Sequence, residues 1–266
     1  FHQKFQEFCQ VAFSVLFFYI HHVKVRAIKT EKVTSKSISL ELLLNKYLPK
    51  IFENSIVVIT SKIVSLCEGR VVAIEDVDKN ELIKKEANFF IPPEKNQYGI
   101  TLTLKNGMLV ATAGIDESNG NGYYILWPES AQKTANNIRS YLCKRFGLTN
   151  IGVIISDSRT TPLRWGTTGF GLAYSGFNPI KNYIGTPDLF GKILKITKSN
   201  VLDALSVAAV MEMGEGLEQT PIALITNIPY VEFLSRNPTK KELDQMRVKL
   251  DEDLYSIFFE NAPWET

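Results

Sequence analysis

Asp116, Asp157, Ser158 and Glu215 are the residues of this 266-residue sequence whose types and surroundings could do chemistry. All four offer oxygen, and oxygen ligands suit magnesium or manganese rather than zinc. Asp116 opens the polar run "IDESNGNG" after the apolar "MLVATAG" (Met108 to Gly114), and Asp157 and Ser158 follow the apolar "IGVIIS". Glu215 comes directly after a predicted helix that stops at Gly214. Its carboxylate therefore lies at the negative end of the helix dipole, which costs about 0.3–1 kcal/mol unless a cation compensates. A divalent ion in such a place would in turn suggest a nucleotide phosphate. Taken singly, each residue has a plainer reading. Asp116 suits a turn, Asp157 a cap, Lys62 a solvated position and Glu215 the surface. The residues by themselves stop at a metal and phosphate site.

The elements that must position them can be drawn from the pattern. From Val23 onward, short β-rich runs alternate with amphipathic stretches, which argues for a mixed α/β or α+β fold. "SIVVIT" (Ser55 to Thr60) reads as a buried strand that ends in Ser61 and Lys62, and "PIALIT" (Pro221 to Thr226) as another that follows a helix. Helices are expected from Ser130 to Phe146, stopped by Gly147, and from the N-cap Asn200 to Gly214. A third, charged helix is expected to begin at the capping box Thr239 to Glu242 and run through "TKKELDQMRVKLDEDLYSIFF". The stretch Ile155 to Gly171, "ISDSRTTPLRWGTTGFG", is too dense in hydrogen-bonding groups for a simple connection and reads as a functional loop off a strand end.

Composition excludes several classes. A formal net charge of +2 with scattered basic residues leaves no stripe for a polyanion, so nucleic acid is not the expected partner. The three cysteines form no C-x-x-C pair, which fits a reduced cytoplasm and gives no structural zinc site. "VAFSVLFFYI" (Val11 to Ile20) is apolar but shorter than the roughly 18–20 residues of a spanning helix, so no membrane partner is expected. Residues 1–22 read as an extension of uncertain status, and 23–266 as the domain. "GTPDLFGKI" (Gly185 to Ile193) has the wrong spacing for a P-loop, and "GFGLAYSG" (Gly169 to Gly176) fails the dinucleotide fingerprint. G-x-S-x-G, H-E-x-x-H and a Cys/His pair are all missing from the sequence.

Four separated segments, "VVITSKIVSLCEGRVV", "AGIDESNG", "ISDSRTTPLRWGTTG" and "YIGTPDLFGKILKITKSNVLDALSVAAVMEMGEG", resemble in order and spacing the coenzyme F420-0:gamma-glutamyl ligase family. The similarity covers Val23 to Asn227. It implies an α+β fold of two interlocked halves, an intertwined homodimer, and ATP- or GTP-dependent joining of the L-glutamate amine to a substrate carboxyl group. It also implies two magnesium or manganese ions, with potassium as a further ion, held at Asp116, Asp157, Ser158 and Glu215. Ser61, Lys62, Asn119 and the loop around Gly214 fall in the family's nucleotide-binding segments. Lys62 and Arg164 are the residues expected to hold phosphate or substrate oxygens.

The departures are local. Against the family's D-S-x-G-R-x-W-R-x-G-Q-T-D, Asp157, Ser158, Arg164, Gly166 and Thr168 fit, whereas Thr160, Thr161, Leu163, Thr167 and Gly169 do not. Leu66 and Cys67 stand where Lys-Ala is usual. "RTTPLRWGTTG" and "YIGTPD" are more similar to the branch assigned to folate metabolism. A folate-type acceptor is therefore the first expectation, F420-0 the alternative, and a non-catalytic nucleotide-binding protein the third. The implied chemistry is an acyl phosphate attacked by the glutamate amine, with no protein nucleophile.

Overall fold

The computed structural model describes residues 22–266, so the expectation for the amino-terminal extension lies, His22 apart, outside the described residues. The fold is α+β, as expected. Its centre is a five-stranded sheet of β1 (Lys24–Ile28), β2 (Ser55–Thr60), β8 (Ile151–Thr160), β9 (Thr167–Ser175) and β12 (Ile222–Thr226). The order is β1-β12-β2-β8-β9, with β2 and β8 parallel and every other pair antiparallel.

Strands β2 and β8 are apolar without alternation because both faces of the sheet are covered. On one face, Val57, Ile59, Val153 and Ile155 pack against Leu43 and Leu44 of α1 (Leu40–Tyr47), Val64 of α2 (Ser61–Glu68), and Ala135, Ile138 and Leu142 of α4 (Ala131–Phe146). On the other, Ile56, Val58 and Ile154 pack against Leu202, Leu205, Ala209 and Met213 of α5 (Val201–Met213). Each buried aliphatic side chain contributes about 1.5–3 kcal/mol, which fixes the register.

A second unit is inserted between α2 and α4. It contains the ribbon of β3 (Val71–Ala73) and β7 (Tyr123–Ile125), the helix α3 (Lys79–Glu86), and a three-stranded sheet of β4 (Phe89–Ile91), β5 (Leu102–Lys105) and β6 (Met108–Ala111). It has its own core of Leu82, Ile83, Ala113, Ile115, Tyr124 and Leu126. The interlocking of the chain shows in β12, which comes from the carboxyl-terminal part yet pairs between β1 and β2.

The expected helices at Asn200 and Ser130 form where the caps predict. Asn200 Oδ1 accepts the Asp203 amide at 2.9 Å, and α4 ends at Gly147 in the left-handed conformation. Helix α5 lies close on β9. A Cβ at Gly169 would stand 2.6 Å from the Ser206 carbonyl oxygen and 2.8 Å from Val210. Because Gly169 pairs with Ser158, this seating carries the end of α5 to the side chain of Ser158.

Two expectations are corrected. The segment from Ile155 to Gly171 is not a loop off a strand end. Strand β8 continues through Asp157 and Ser158 to Thr160 and returns as β9, so the polar residues lie on a β-hairpin with an irregularity between Ile155 and Ser156. The carboxyl-terminal helix is also broken. It forms only as α6 (Lys240–Asp244), a short turn, and α7 (Ser256–Glu260). Leu243 and Met246 pack against the core, but Val248, Leu254, Ile257 and Phe258 beyond them remain exposed, so nothing holds one long helix.

The capping box itself is present. Thr239 and Glu242 bond reciprocally, and Arg236 grips the Glu242 carboxylate with two bonds of 2.7 Å. Arg236 first, and then the Thr239 amide, hold the Glu242 carboxyl at about 2. Its folded value lies below the ordinary one, so its contribution is complete above the ordinary carboxylate range and drains away as pH falls toward about 2. Glu242→Gln is expected to cost about 1 kcal/mol at neutral pH, the solvent screening of the pair keeping it small. Denaturant unfolding should show that difference vanishing in acid.

Candidate active site

The side chains converge from four segments. Lys62 stands in the first turn of α2, directly after β2, and Ser61 beside it is buried. Its ammonium lies 2.6 Å from Asp116 Oδ2 and donates to the carbonyl and hydroxyl oxygens of Ser118 at 3.1 and 3.0 Å. Asp116 is fixed by backbone bonds to Ile125 on both its amide and its carbonyl, and its Oδ1 accepts the Ser118 amide at 2.7 Å. Burial works against the charge on Asp116, but Lys62 and Ser118 outweigh it and hold the carboxyl below its usual value.

Asp157 is anchored from inside the protein. The indole Nε1 of Trp127 donates to its Oδ2, and the Ser158 amide donates to its Oδ1 at 2.9 Å. Burial pushes the Asp157 carboxyl up to about 6, and the charge of Asp116 adds to this against the opposing pull of Lys62. The hydroxyl of Ser158 reaches Glu215 Oε2 at 3.3 Å. Burial also raises the Glu215 carboxyl, with Asp116 and Glu218 acting in the same direction. Lys62 thus acts on all three carboxylates, and these acids are more than one lysine can neutralise.

Two backbone features close the site. Gly214 caps α5, and Gly216 donates to Glu218 Oε2 at 2.8 Å, which turns the chain back at once after Glu215. Asn119 Nδ2 donates to the Gly216 carbonyl at 3.1 Å and ties the Asp116 loop to this turn. Arg164 stands apart, on the exposed tip of the β8–β9 hairpin, and none of the described hydrogen bonds or ion pairs engages its guanidinium. The nearer arginine is Arg159, whose guanidinium lies 4.6 Å over Phe170 and 3.8 Å from Asp203.

Among the described residues, no three His, Cys, Asp or Glu side chains already form a metal cage. Asp116, Asp157, Ser158 and Glu215 nevertheless fit a hard divalent cation by chemistry. They are all oxygen donors, and burial leaves Asp157 and Glu215 electrostatically short of positive charge. Of the described thiols, burial pushes Cys67 up to about 11 and Cys143 in the same direction, which disfavours the thiolate at both. No described helix is long and apolar enough to cross a membrane. Sequence reasoning missed Trp127 and Ser118. Ser118 was legible as part of "IDESNG", whereas nothing in "ILWPES" separates a site tryptophan from a core one.

Comparison with known proteins identifies the family. The family model described as F420-0:Gamma-glutamyl ligase matches residues 23–227. The chain is 30% identical over 197 residues to the coenzyme F420:L-glutamate ligase of Methanosarcina mazei, covering 67% of this chain and 76% of that one. It is 31% identical over 254 residues to the enzyme of the same name from Methanococcus maripaludis strain C7, covering 85% of this chain and 99% of the relative. With the family motifs and the described fold in agreement over the same span, the chain belongs to the F420-0:gamma-glutamyl ligase family.

Proposed function

We propose that this protein joins L-glutamate through its amine to the carboxyl group of an F420-0-type acceptor, using a nucleoside triphosphate and divalent metal. The observation that carries this reading is the meeting of Asp116, Asp157, Ser158 and Glu215 around Lys62 from four distant segments. The relatives' names favour F420 over a folate acceptor as the substrate. A folate-type acceptor remains the second reading because the hairpin tip, with Leu163 and Trp165 exposed, departs from the F420 pattern.

Divalent cations held by Asp116, Asp157, Ser158 and Glu215 would offset the phosphate charge during transfer. An acceptor carboxylate oxygen attacks the γ-phosphorus, its bond to the nucleotide breaks, and the nucleoside diphosphate leaves. The glutamate amine then attacks the acyl carbon, loses a proton and expels inorganic phosphate. Ser61, Lys62, Asn119 and Gly214 frame the nucleotide side. Lys62 can exchange Asp116 for a phosphate oxygen because its ammonium is partly exposed. Arg164 is assigned to substrate oxygens only if the hairpin folds toward bound acceptor. A homodimer is part of this reading, supported by Leu163, Trp165, Leu189, Phe190 and Ile196, which stand almost fully exposed.

The acyl-phosphate route is tested with acceptor whose reacting carboxyl group carries oxygen-18. One labelled oxygen should appear in the released phosphate. Unlabelled phosphate formed alongside ligated product would rule that route out.

A further inference from the structure

Trp127 has no role assigned to it by the family comparison, yet it is buried at the back of the site. Its side chain is buried, with the ring centroid 6.2 Å from that of Phe170. The ring rests on Gly114, where a Cβ would stand 2.2 Å away. The ammonium of Lys105 lies 5.3 Å from the ring centroid on its π face and is itself buried, 9% exposed. Lys105 is held by Glu86 at 2.8 Å and by the Ala113 carbonyl at 3.2 Å, and Glu86 is bound in turn by Arg70 at 2.7 Å.

A buried lysine is costly unless it is paired; Glu86 pairs this one and holds its ammonium over the Trp127 ring. A cation over the π face draws electron density from the indole and makes its N–H a better donor. That N–H goes to Asp157, whereas Asp116 and Glu215 are held from the cluster itself by Lys62 and Ser158. With Oδ2 fixed by Trp127 and Oδ1 by the Ser158 amide, the carboxylate plane cannot rotate.

We propose that Trp127, backed by Lys105, is a positioning residue that sets the orientation of the Asp157 carboxylate for a divalent cation. This rests on the metal-dependent reading given under Proposed function. Outer-shell partners of this kind change metal affinity by about 10–100-fold when removed.

The test uses Trp127→Phe, which keeps a ring and loses the N–H. Free Mn2+ is measured by electron paramagnetic resonance in the presence of nucleotide. The variant should bind Mn2+ about 10-fold more weakly, with an unchanged KM for glutamate, and the smaller ring should lower the thermal midpoint by a few degrees without unfolding the protein. A second readout needs no altered Trp127. In protein labelled with nitrogen-15 at its indoles, with Trp165→Phe and Trp264→Phe used for assignment, the Trp127 N–H resonance should move on adding Mg2+ with nucleotide. Equal Mn2+ affinity in the variant, or an unmoved resonance while Mn2+ binds, overturns the proposal. If the unaltered protein binds no Mn2+, the metal reading fails first and the role of Trp127 falls with it.

Discussion

Asp157→Asn should reduce glutamate-dependent nucleotide turnover by about a thousandfold or more, the equivalent of about 4 kcal/mol or above in transition-state stabilisation. Its thermal midpoint should stay close to that of the parent. The two halves of this expectation have one cause. The site raises the Asp157 carboxyl to about 6 because burial disfavours its charge. A neutral amide therefore suits the folded protein without ligands at least as well as a carboxylate does. Its oxygen can still accept from Trp127 or from the Ser158 amide. What the amide cannot do is offer a negative oxygen to a cation. Steady-state phosphate release and thermal melting, run on the same preparation, check both halves, and near-normal turnover would remove Asp157 from the metal role.

Gly114→Ala should be strongly destabilising. Gly114 has φ of +70°, which L residues adopt at a cost, and the added carbon would stand 2.2 Å from the Trp127 ring. That ring cannot retreat, because Phe170 and Lys105 lie against it. Overpacking and backbone strain together should cost about 3 kcal/mol, a fall of about 6–12 °C in thermal midpoint for a chain of this size. Gly107→Ala is the matched comparison. Its φ is +74° but nothing lies within 4 Å of the added carbon. It should cost about 1–2 kcal/mol from the backbone alone. Equal losses in the two variants would mean that Trp127 yields, contrary to the tight seating described.

Much of the fold was legible because burial writes itself as apolar runs. "SIVVIT" and "IGVIIS" are covered on both faces, and their sequences say so. The Asn200 cap and the Gly147 stop were legible because they satisfy local backbone groups. The hairpin was misread for a physical reason. Asp157, Ser158 and Arg159 are strand residues whose side chains are used by partners distant in sequence, so they carry polarity where a strand usually carries bulk. The carboxyl-terminal helix was misread for the opposite reason. Its periodicity is real, but Leu254, Ile257 and Phe258 find no surface to cover.

The acidic residues of the candidate site were singled out through type and placement, Glu215 by its position past the end of α5 and Asp116 by its polar loop. The pairing of Asp116 with Lys62, and the indole behind Asp157, were not legible, because Lys62 and Asp116, like Trp127 and Asp157, are distant in sequence and only the fold brings them together. The departures that suggested a folate acceptor include Leu163 on the exposed hairpin tip. Thr160 and Thr167 pair at the base of that tip, beyond Ser158 along the strands. A further departure, Gly169, pairs directly with Ser158.

Mass spectrometry of the acceptor tests the central claim most directly. The purified protein is incubated with L-glutamate, ATP or GTP, and Mg2+ or Mn2+, together with F420-0 or a reduced folate, and each reaction is repeated with chelator. Addition of glutamyl residues to F420-0, abolished by chelator, is the predicted result. Glutamate added in the presence of chelator, or no glutamate added to either acceptor by protein that is folded and loaded with metal and nucleotide, would contradict it.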